Sequence, residues 1–505
     1  MLLNSTDLPS ILDEHQTHQI YNALDAALTL EIFEELSALP TSPESQLMYD
    51  FSRAVQAPAL EMMLRGIRVD NAKRWAFIHR LEEDEIRVQE ILDEFATAIW
   101  GTGLNPRSPK QLKEFFYSAM GYPQQFKFFK GERKLSTDRE ALEKLAAYFH
   151  TQPLINCILK LRDLRKKSSI LRSEVDEASD GSYRMHTSYN VVGTETNRWS
   201  SSKNVEGGGT NLQNLTEELR RIFIADPGRK LAYIDLSQAE SRAVGFLCWT
   251  IFGRSAYLDA SESGDLHTSV ARLVWPRMPW TEDPSHNRAL AERPFYRHFS
   301  YRDMAKRAGH ATNYYGQPFT VSKNLKVPQE LIESFRRDYF HAFPELQDYH
   351  RFISRELQLS GQISTPLGTT RTFFGRRNDD ATLREAIAHV PQHMVGVLLN
   401  LALWRVWHHL GKEVDILAQV HDAILIQYHE ERETELISRV LPLMVTPLQH
   451  GGRTMFIPSD VAVGWNWSKY SASNPDGLKH LALGEADGRV RRDSPTSDPL
   501  SRLVA

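Results

Sequence analysis

LAYIDLSQAESRAV, residues Leu231–Val244, passes from a short apolar run to a polar segment at Asp235. The apolar run has the composition of a buried strand, and Asp235 lies where that strand is predicted to stop. A carboxylate at the end of a buried strand is costly to desolvate unless a cation or hydrogen-bond donors meet it. Taken alone, the stretch leaves two interpretations open: Asp235 is a metal ligand, or it caps a helix that begins near Ser237.

A second stretch, ILAQVHDAILIQY at Ile416–Tyr428, favours the first interpretation. Two apolar runs rich in β-forming residues flank the polar pair His421 and Asp422, which predicts a hairpin with an acid at its tip. Two strand-end acids far apart in sequence can converge on two divalent ions, which act on the attacking and leaving oxygens of a phosphoryl transfer. Mg²⁺ suits such a site because it binds carboxylates together with substrate phosphate oxygens.

A third stretch, RDMAKRAGHATNYYG at Arg302–Gly316, repeats a polar or aromatic side chain at every fourth position. These side chains are Arg302, Lys306, His310 and Tyr314. In a helix, a step of four residues overshoots one turn by about 40°, so the four side chains share one face. An arginine and a lysine one turn apart can hold a triphosphate, and the imidazole and phenol can stack on a base and a sugar. For the arginine and lysine alone, a solvated basic face is the open alternative.

The three stretches together resemble motifs A, B and C of DNA polymerase family A, the DNA polymerase I family, in a bacteriophage-like form. DLSQAESR is similar to motif A, RDMAKRAGHATNYYG to motif B and QVHDAILI to motif C, and the similarity extends from Pro58 to Trp467. The resemblance implies an α+β right-hand polymerase fold with an antiparallel-sheet palm and helical fingers and thumb. It also implies a template-directed DNA polymerase that adds deoxynucleoside monophosphates to a primer 3′-hydroxyl and releases pyrophosphate, in phage DNA replication.

The resemblance also implies a division of the chain. The predicted parts are residues 1–40, a remnant of the C-terminal helix of an exonuclease domain; 41–70, the approach to the palm; 71–175, the thumb; 176–262, palm with motif A; 263–382, fingers with motif B; 383–467, palm with motif C; and 468–505, a disordered tail. A stretch at 276–299 looks like an insertion to which the sequence assigns no role.

By the same resemblance, two Mg²⁺ ions would bind at motifs A and C, and Mn²⁺ is expected to be able to replace them. The ligands would be Asp235, the carbonyl of Leu236, and Asp422, and the two aspartates would be the catalytic residues. The residues that would contact the deoxynucleoside triphosphate are Gln238, Glu240, His267, Arg302, Lys306, His310 and Tyr314. Glu240 would be the ribose filter, because a carboxylate packed under C2′ leaves no room for a 2′-hydroxyl.

Primer–template DNA is the implied macromolecular partner. The residues that would contact it are Arg198, Asn211, Gln213, Gln392 and His421. The minor groove shows acceptors at every base pair, so such contacts test pairing geometry without reading sequence. This chain departs from the family at two positions: His310 stands where most relatives have Phe or Tyr, and Ala423 stands where most have Glu. Tolerance of dideoxynucleotides is therefore left open, and Ala423 is interpreted as tolerable because both aspartates are present.

HQIYNALDAALTLEIFEEL at His18–Leu36 is interpreted as an amphipathic helix, and its Tyr21 and Asp25 resemble the last motif of the family's 3′–5′ exonuclease domain. One Asp cannot assemble a two-metal site. The other acid motifs would need on the order of a hundred more residues. We therefore expect no proofreading by this chain: either Asp25 is a remnant on a structural helix, or a separate exonuclease chain completes the site. A separate processivity protein is also left open.

The composition is that of a soluble globular protein, with 505 residues, 41% hydrophobic and 25% charged. The net charge of −4 is no overall sign of nucleic-acid binding, so any contact with DNA would come from basic clusters such as residues 160–172 and 371–377, which are otherwise solvated faces. Cys157 and Cys248 stand in apolar surroundings and are interpreted as core residues. No apolar run of roughly 18 residues and no secretory signal is found, so we expect no membrane association and a cytoplasmic location, in the host cell if the protein is viral.

Two other functions stay open. A catalytically silent homologue that binds primer–template DNA is favoured by Ala423 and opposed by the presence of both aspartates, Arg302 and Lys306. A single-subunit RNA polymerase would use the same chemistry on ribonucleotides, and Glu240 in place of a small residue argues against it.

Overall fold

The structure, a computed structural model, describes residues 13–39, 41–129, 132–204 and 207–481. Within these ranges, helices surround one five-stranded antiparallel sheet. The α-helices are α1 (Glu14–Ser37), α2 (Pro43–Ala54), α3 (Gln56–Arg65), α4 (Asn71–Trp100), α5 (Pro109–Lys113), α6 (Arg139–Leu145), α7 (Gln152–Leu171), α8 (Glu217–Arg220), α9 (Ala239–Phe252), α10 (Ala256–Glu262), α11 (Leu266–Val274), α12 (Pro284–Ala291), α13 (Tyr301–Asn313), α14 (Pro318–Leu325), α15 (Gln329–Ala342), α16 (Pro344–Ser360), α17 (Asp380–Leu410) and α18 (Glu433–Met444).

The strands are short except for β8, β13, β14 and β17 of the central sheet. They are β1 (Ile67–Val69), β2 (Phe126–Phe129), β3 (Glu132–Leu135), β4 (Asp176–Glu177), β5 (Tyr183–Met185), β6 (Ser188–Asn190), β7 (Ser200–Ser202), β8 (Arg229–Leu236), β9 (Pro294–Tyr296), β10 (Phe299–Ser300), β11 (Gln362–Ser364), β12 (Thr370–Thr372), β13 (Val414–Val420), β14 (Ala423–His429), β15 (Leu448–His450), β16 (Arg453–Met455), β17 (Ser459–Gly464) and β18 (Lys479–His480). The order of the central sheet is β13-β14-β8-β17-β18.

The two faces of the central sheet are covered differently because side chains alternate along a strand. On β8, Ala232, Ile234 and Leu236 belong to the large core that also contains the buried sides of α9 and α17. Leu231 and Tyr233 face the other way, into a smaller core with the buried ring of Trp467. By the same alternation Asp235 lies on the Tyr233 face, at the end of the strand.

A third core holds α4 and α7 together, away from the central sheet. Helix α4 is one long helix over Asn71–Trp100, and its N-cap Asp70 accepts a hydrogen bond from the Lys73 backbone. At the start of α5 the Ser108 side chain accepts from the Gln111 backbone, and proline occupies the first turn.

The N-terminal helix α1 is the least packed helix of the described chain. A helix was predicted at His18–Leu36 and is confirmed, but α1 buries none of its residues. Its apolar side chains Leu30, Phe33 and Leu36 are between 54% and 61% exposed. The predicted amphipathic packing is therefore not what this structure shows.

The stretch at 276–299 folds as a small unit in front of α13. It contains α12 and the strand β9, which pairs with β10. Ser300 then caps α13 in a reciprocal capping box with Asp303. The stretch thus leads directly to the helix that carries Arg302 and Lys306.

The prediction of a disordered tail from residue 468 is wrong for residues 468–481. The strand β18 pairs with β17, with Ala462 opposite His480 and Val463 opposite Lys479. The turn before β18 is held by Asn474, which exchanges side-chain hydrogen bonds with Asn466 at 2.8 and 3.0 Å. This segment carries no side-chain period, but unsatisfied backbone at the edge of β17 offers it partners. Residues 482–505 lie outside the described residues.

Helix α17 is long and apolar enough to cross a membrane by length and composition, alone among the described helices. However, 89% of its most apolar window is buried inside the protein. A core helix explains this composition, because α17 packs against α9, α16 and α18.

Candidate active site

Asp235 and Asp422, called here the sheet-end pair, lie at the same end of two neighbouring strands. The register sets Asp235 opposite Ala423, and the Leu236 N–H donates to the Asp422 carbonyl at 3.0 Å. Asp422 stands in the tight turn between β13 and β14, directly after His421, whose φ is +56°. The hairpin predicted from the sequence is confirmed, and the structure brings together two acids that are 187 positions apart in the chain.

Burial and neighbouring acids make the negative charge of the sheet-end pair costly. Burial, and then repulsion by Asp422 and Asp460, raises the pKa of Asp235 to about 7. Burial also raises the pKa of Asp422, although the nearby Arg198 guanidinium opposes that rise. Groups that hold their negative charge at such a cost are candidates for cation binding.

A third acid stands beside Asp235 on the strand away from Asp422. Asp460 of β17 is directly opposite Asp235, whereas on the other side Ala423 contributes no carboxylate. Within the described ranges no group of three or more His, Cys, Asp or Glu side chains is arranged to hold a metal ion. The sheet-end pair therefore offers two side chains, and further ligands would come from the backbone, water or substrate, as Mg²⁺ allows.

Helices α11 and α13 present a mixed charge cluster to the site. Asp265, the N-cap of α11, receives two hydrogen bonds from Arg302, from Nε at 2.8 Å and from Nη2 at 3.0 Å. This bidentate pair lowers the pKa of Asp265 to about 2, although burial opposes the shift. Lys306 stands one turn further along α13 and is exposed. Burial, then the charges of Arg302 and Lys306, lowers the pKa of His267 to about 4, so its imidazole is neutral at pH 7.

Glu240, in the first turn of α9, is held from three sides. Arg198 forms an ion pair with its carboxylate and a second one, at 3.1 Å, with Asp422. The Tyr314 hydroxyl donates to Glu240 Oε2 at 2.6 Å. His310 Nε2 lies 3.9 Å from the same oxygen, and its ring meets that of Tyr314 edge-on at 4.9 Å. The position of the Glu240 carboxylate is therefore fixed by its partners.

Gln238 has a strained backbone conformation and a side-chain oxygen that accepts no hydrogen bond. It is the N-cap of α9 with φ +54°, a left-handed conformation that is uncommon outside glycine. Its side-chain nitrogen donates to Gly264 at 3.5 Å, while its side-chain oxygen is buried without a hydrogen-bond partner. Such strain is typical of functional sites.

Most of the predicted residues line one cavity of about 510 Å³, the central cavity. Those that do so are Arg198, Asp235, Leu236, Gln238, Glu240, His267, Lys306, His310, Gln392 and Asp422. Arg302 and Tyr314 are absent from the lining. Tyr314 contacts it through Glu240, and Arg302 is bonded to Asp265, two residues before the lining residue His267. The sheet end, α9 and α13 thus converge on one space.

Two side chains that were predicted to contact DNA form hydrogen bonds within the protein instead. Gln213 is 8% exposed, and its side-chain nitrogen donates to Gln419 Oε1 at 2.7 Å. Asn211 donates to the Ser201 carbonyl and accepts from the Ser201 hydroxyl, both at 2.6 Å. These bonds tie the β7 hairpin to β13. His421, in contrast, is exposed at the turn beside Asp422.

The basic cluster at residues 160–172 is largely used in internal ion pairs. Arg165 pairs with Glu85 at 2.6 Å, and Arg172 pairs with Glu82. These pairs brace α7 against α4, which supports the interpretation of a structural and solvated face for this cluster.

Two acids of this region were not predicted as site residues. Asp265 received no role, although an aspartate directly before a helix is a usable N-cap signal. Asp460 became significant only through the register of β17 against β8, which no local pattern reveals.

Comparison with known proteins places this architecture among the polymerases. The polymerase domain of Pol1 from M. smegmatis, solved in complex with DNA primer-template and dNTP, matches with a TM-score of 0.64 at 24% identity, covering 82% of this chain and 70% of that chain. This likeness shows the fold, and the predicted α+β right-hand polymerase fold is confirmed.

Sequence comparison gives the family. The sequence model of DNA polymerase family A matches residues 78–469, and the chain therefore belongs to that family. The chain is 27% identical to DNA polymerase I of Chloroflexus aurantiacus, over 89% of this chain and 46% of the relative. It is 26% identical to the thermostable DNA polymerase I of Thermus aquaticus, over 87% of this chain and 50% of the relative. The chain thus spans about half the length of these curated relatives.

Proposed function

We propose that the chain is a template-directed DNA polymerase that adds deoxynucleoside monophosphates to a primer 3′-hydroxyl and releases pyrophosphate. One observation carries the proposal: the sheet-end pair Asp235 and Asp422 opens into the same cavity as Lys306, His267 and Glu240. Carboxylates, a phosphate-binding cation and a sugar-sized wall are the groups that phosphoryl transfer to a nucleotide requires.

We infer that two Mg²⁺ ions, or Mn²⁺ ions in their place, bind at the sheet-end pair. The residues fit such ions because the two carboxyl groups are adjacent, hold raised pKa values and offer hard oxygen ligands, with the Leu236 carbonyl beside them. When bound, such ions acidify the attacking hydroxyl and neutralise charge on the leaving pyrophosphate.

The side chains of α11 and α13 would receive the triphosphate. Lys306 has no ion-pair partner among the described residues, so its charge is available to a phosphate. Arg302 is preoriented by Asp265 at the same helix face. His267, neutral at pH 7, can donate a hydrogen bond to a phosphate oxygen without adding charge.

Glu240 would exclude ribonucleotides by its bulk. Its carboxylate is held by Arg198 and Tyr314 on one wall of the central cavity. A wall that is fixed from several sides cannot move to admit a 2′-hydroxyl, so the discrimination is steric. His310 at the same wall leaves the response to dideoxynucleotides to be measured.

Primer–template DNA is the proposed macromolecular partner. Gln392 and Arg198 reach the central cavity, and His421 is exposed beside Asp422 where a primer terminus would meet the sheet-end pair. Asn211 and Gln213 are proposed to act indirectly, by holding the hairpin that carries Arg198 near the site.

We also propose that this chain alone does not proofread. Asp25 stands on α1, which buries none of its residues, and the described ranges contain no cluster of three ligating side chains. Incubation of a labelled single strand with Mg²⁺ tests this. Shortening from the 3′ end that Asp25→Ala abolishes would contradict the proposal. Shortening only on addition of a second protein would identify a separate exonuclease.

The biological setting is proposed from the sequence resemblance only: replication of a bacteriophage genome, in the cytoplasm of the host cell. Sequencing of the DNA that flanks the gene tests this, because a neighbourhood of bacterial housekeeping genes would argue against it.

Primer extension is the direct test of the proposed activity. A primed template is incubated with Mg²⁺ and either deoxy- or ribonucleoside triphosphates, for the wild type and for Asp422→Ala. Extension with deoxynucleotides alone, abolished by the substitution, is expected. Tight duplex binding without extension would instead mean a catalytically silent homologue, with Ala423 as the suspected cause. Extension with ribonucleotides would mean an RNA polymerase.

A further inference from the structure

A second cavity adjoins Asp235 on the side away from the central cavity. Its volume is about 680 Å³, and Asp235, Asp460, Tyr233 and Arg220 contribute to its lining. The segment 467–480 closes it, because β18 returns to pair with β17. We call it the C-terminal pocket. Asp235 is thus shared by two cavities, one on each side of its carboxylate.

The C-terminal pocket is lined by basic side chains that form no close ion pair within the described residues. Arg220, Lys469 and Lys479 line it, and none of them forms an ion pair with a carboxylate of the described residues. The Arg220 guanidinium lies 4.8 Å from the ring centre of Trp467, and its Nε is buried without a hydrogen-bond partner. Lys479 lies 5.6 Å from the ring centre of Tyr470. Cations that rest on aromatic faces and lack acid partners are suited to a phosphate.

Three acids line the pocket, and two of them lie at one end of it. Glu217 accepts from the Ser468 hydroxyl at 3.0 Å and from the Lys469 backbone amide, so its charge is engaged. The other two, Asp235 and Asp460, are directly opposite each other at the strand end. An anion in the pocket would therefore be placed away from this end.

The register places two acids and then His480 in two successive rows on one face of the sheet, whereas Lys479, opposite Val463, is one residue out of phase and lines the pocket from the edge strand. Asp235 and Asp460 form the first row. Two residues back, Tyr233 is opposite Ala462, which in turn is opposite His480. Two residues of a strand span roughly 7 Å. Within the proposed function a terminal 3′-hydroxyl lies at Asp235, so the nearest phosphodiester of the same strand falls about one row away, beside His480, in the pocket that Lys479 also lines.

We propose that the C-terminal pocket binds the phosphodiester next to the 3′ end of the DNA strand that is extended, with Lys479 and His480 as contacts supplied by the C-terminal segment. This proposal rests on the proposed function. According to this proposal the two cavities beside Asp235 bind different groups. The central cavity binds the triphosphate, and the C-terminal pocket binds the end of the extended strand. Inorganic pyrophosphate is the rival source of the same chemistry.

The experiment combines a variant of the pocket with a neutral DNA backbone. Lys479 and His480 are exposed on an edge strand, so the double variant K479Q/H480Q is expected to fold, and thermal unfolding checks this. K479R/H480K places a cationic side chain at both positions, and Lys412→Gln removes one charge from the turn before β13, at the opposite edge of the sheet. Each protein is titrated with primer–template DNA whose last or next-to-last primer linkage is either a phosphodiester or an uncharged methylphosphonate.

The expected result is that the effect of neutralising the DNA linkage depends on whether the basic side chains at positions 479 and 480 are present. The neutral linkage should weaken binding to the wild type, to K479R/H480K and to Lys412→Gln about tenfold, but should hardly affect K479Q/H480Q. The double variant should also show a slope of log affinity against log salt that is smaller by about one to two. If the neutral linkage lowers the DNA affinity of all four proteins by the same factor, the proposal is overturned. Competition of inorganic pyrophosphate with the strand end for the wild type but not for K479Q/H480Q would assign the pocket to pyrophosphate instead.

Primer extension on the same samples separates the two proposals. A wild type that extends primers but shows no coupling refutes only the C-terminal pocket as a strand site. A wild type that binds the duplex without extending it refutes the proposed activity, while the coupling can still be read from the binding data.

Discussion

Asp235 and Asp265 are both half-buried aspartates of the same region, yet their carboxyl groups are in opposite electrostatic states. Burial and two neighbouring acids raise the pKa of Asp235 to about 7, whereas the Arg302 guanidinium and the Thr268 hydroxyl overcome burial and lower the pKa of Asp265 to about 2. The Asp265 carboxylate has a bidentate cationic partner, whereas Asp235 has two acids as its neighbours. This difference fits an acid that positions a neighbouring side chain in one case and the proposed cation ligand in the other.

The largest effect is expected when the charge of Asp235 is removed. Asp235→Asn should lower single-turnover primer extension by at least about a thousandfold, because a ligand of both proposed ions loses its charge. Asp460→Asn is the matched control, since it removes one charge from the same row and is expected to cost less than about tenfold. Similar losses in the two variants would mean that the row acts through its total charge and that Asp235 has no special role.

Glu240 extends the comparison to an acid whose proposed role is steric. Glu240→Ala should improve the use of ribonucleotides relative to deoxynucleotides by on the order of a hundredfold, because the wall held by Arg198 and Tyr314 disappears. The isosteric Glu240→Gln should preserve most of the discrimination. The ratio of kcat/KM for the two nucleotide types is the measurement, and loss of discrimination in both variants would show that charge, and not bulk, excludes the 2′-hydroxyl.

Arg302, the partner of Asp265, allows the second acid of the comparison to be tested. Arg302→Gln should lower kcat/KM for deoxynucleotides by on the order of tenfold to a hundredfold, because a cation of the proposed triphosphate site is lost. Arg288→Gln is the control: Arg288 lies 3.6 Å from Asp265, is 56% exposed, and should have little effect. An unchanged KM and kcat in Arg302→Gln would reduce the Asp265 pair to a structural one.

The smallest effect is the pH dependence of stability due to Asp265. Its folded pKa of about 2 is below its ordinary value of 3.8, so its pair with Arg302 stabilises the folded state above about pH 4 and is lost as the pH falls through 2. Asp265→Asn should therefore lower the free energy of unfolding by about 1–2 kcal/mol at pH 6, after allowance for solvent screening. In urea titrations the difference from the wild type should shrink from pH 4 downwards. A difference that is constant with pH would mean that packing, and not the ion pair, is responsible.

Several elements of the site could be read from the sequence because their signals are local. The apolar runs around Asp235 and Asp422 predicted strand ends. The spacing of four residues between the polar and aromatic side chains of α13 predicted that they share one helix face. Both patterns depend only on the geometry of one element.

Other features could not be predicted because they depend on partners distant in the chain. The bidentate pair of Arg302 with Asp265 joins two helices across the 276–299 stretch. The burial of Gln213 against Gln419 depends on how a hairpin packs on β13. The return of residues 468–481 to the sheet edge carries no periodic signal, because its order comes from backbone pairing and from the Asn466–Asn474 contacts.

The sequence alone determined which residues have the chemistry for metal, phosphate and sugar contacts, because side-chain type and local period are written in it. Only the tertiary structure decided which carboxylates meet: the register sets Asp235 between Ala423 and Asp460, and a slip by one residue would turn its side chain to the opposite face. The same register places a basic C-terminal segment beside Asp235. The reason is physical, since strand pairing and helix packing are settled by contacts between distant segments, and no local pattern contains them.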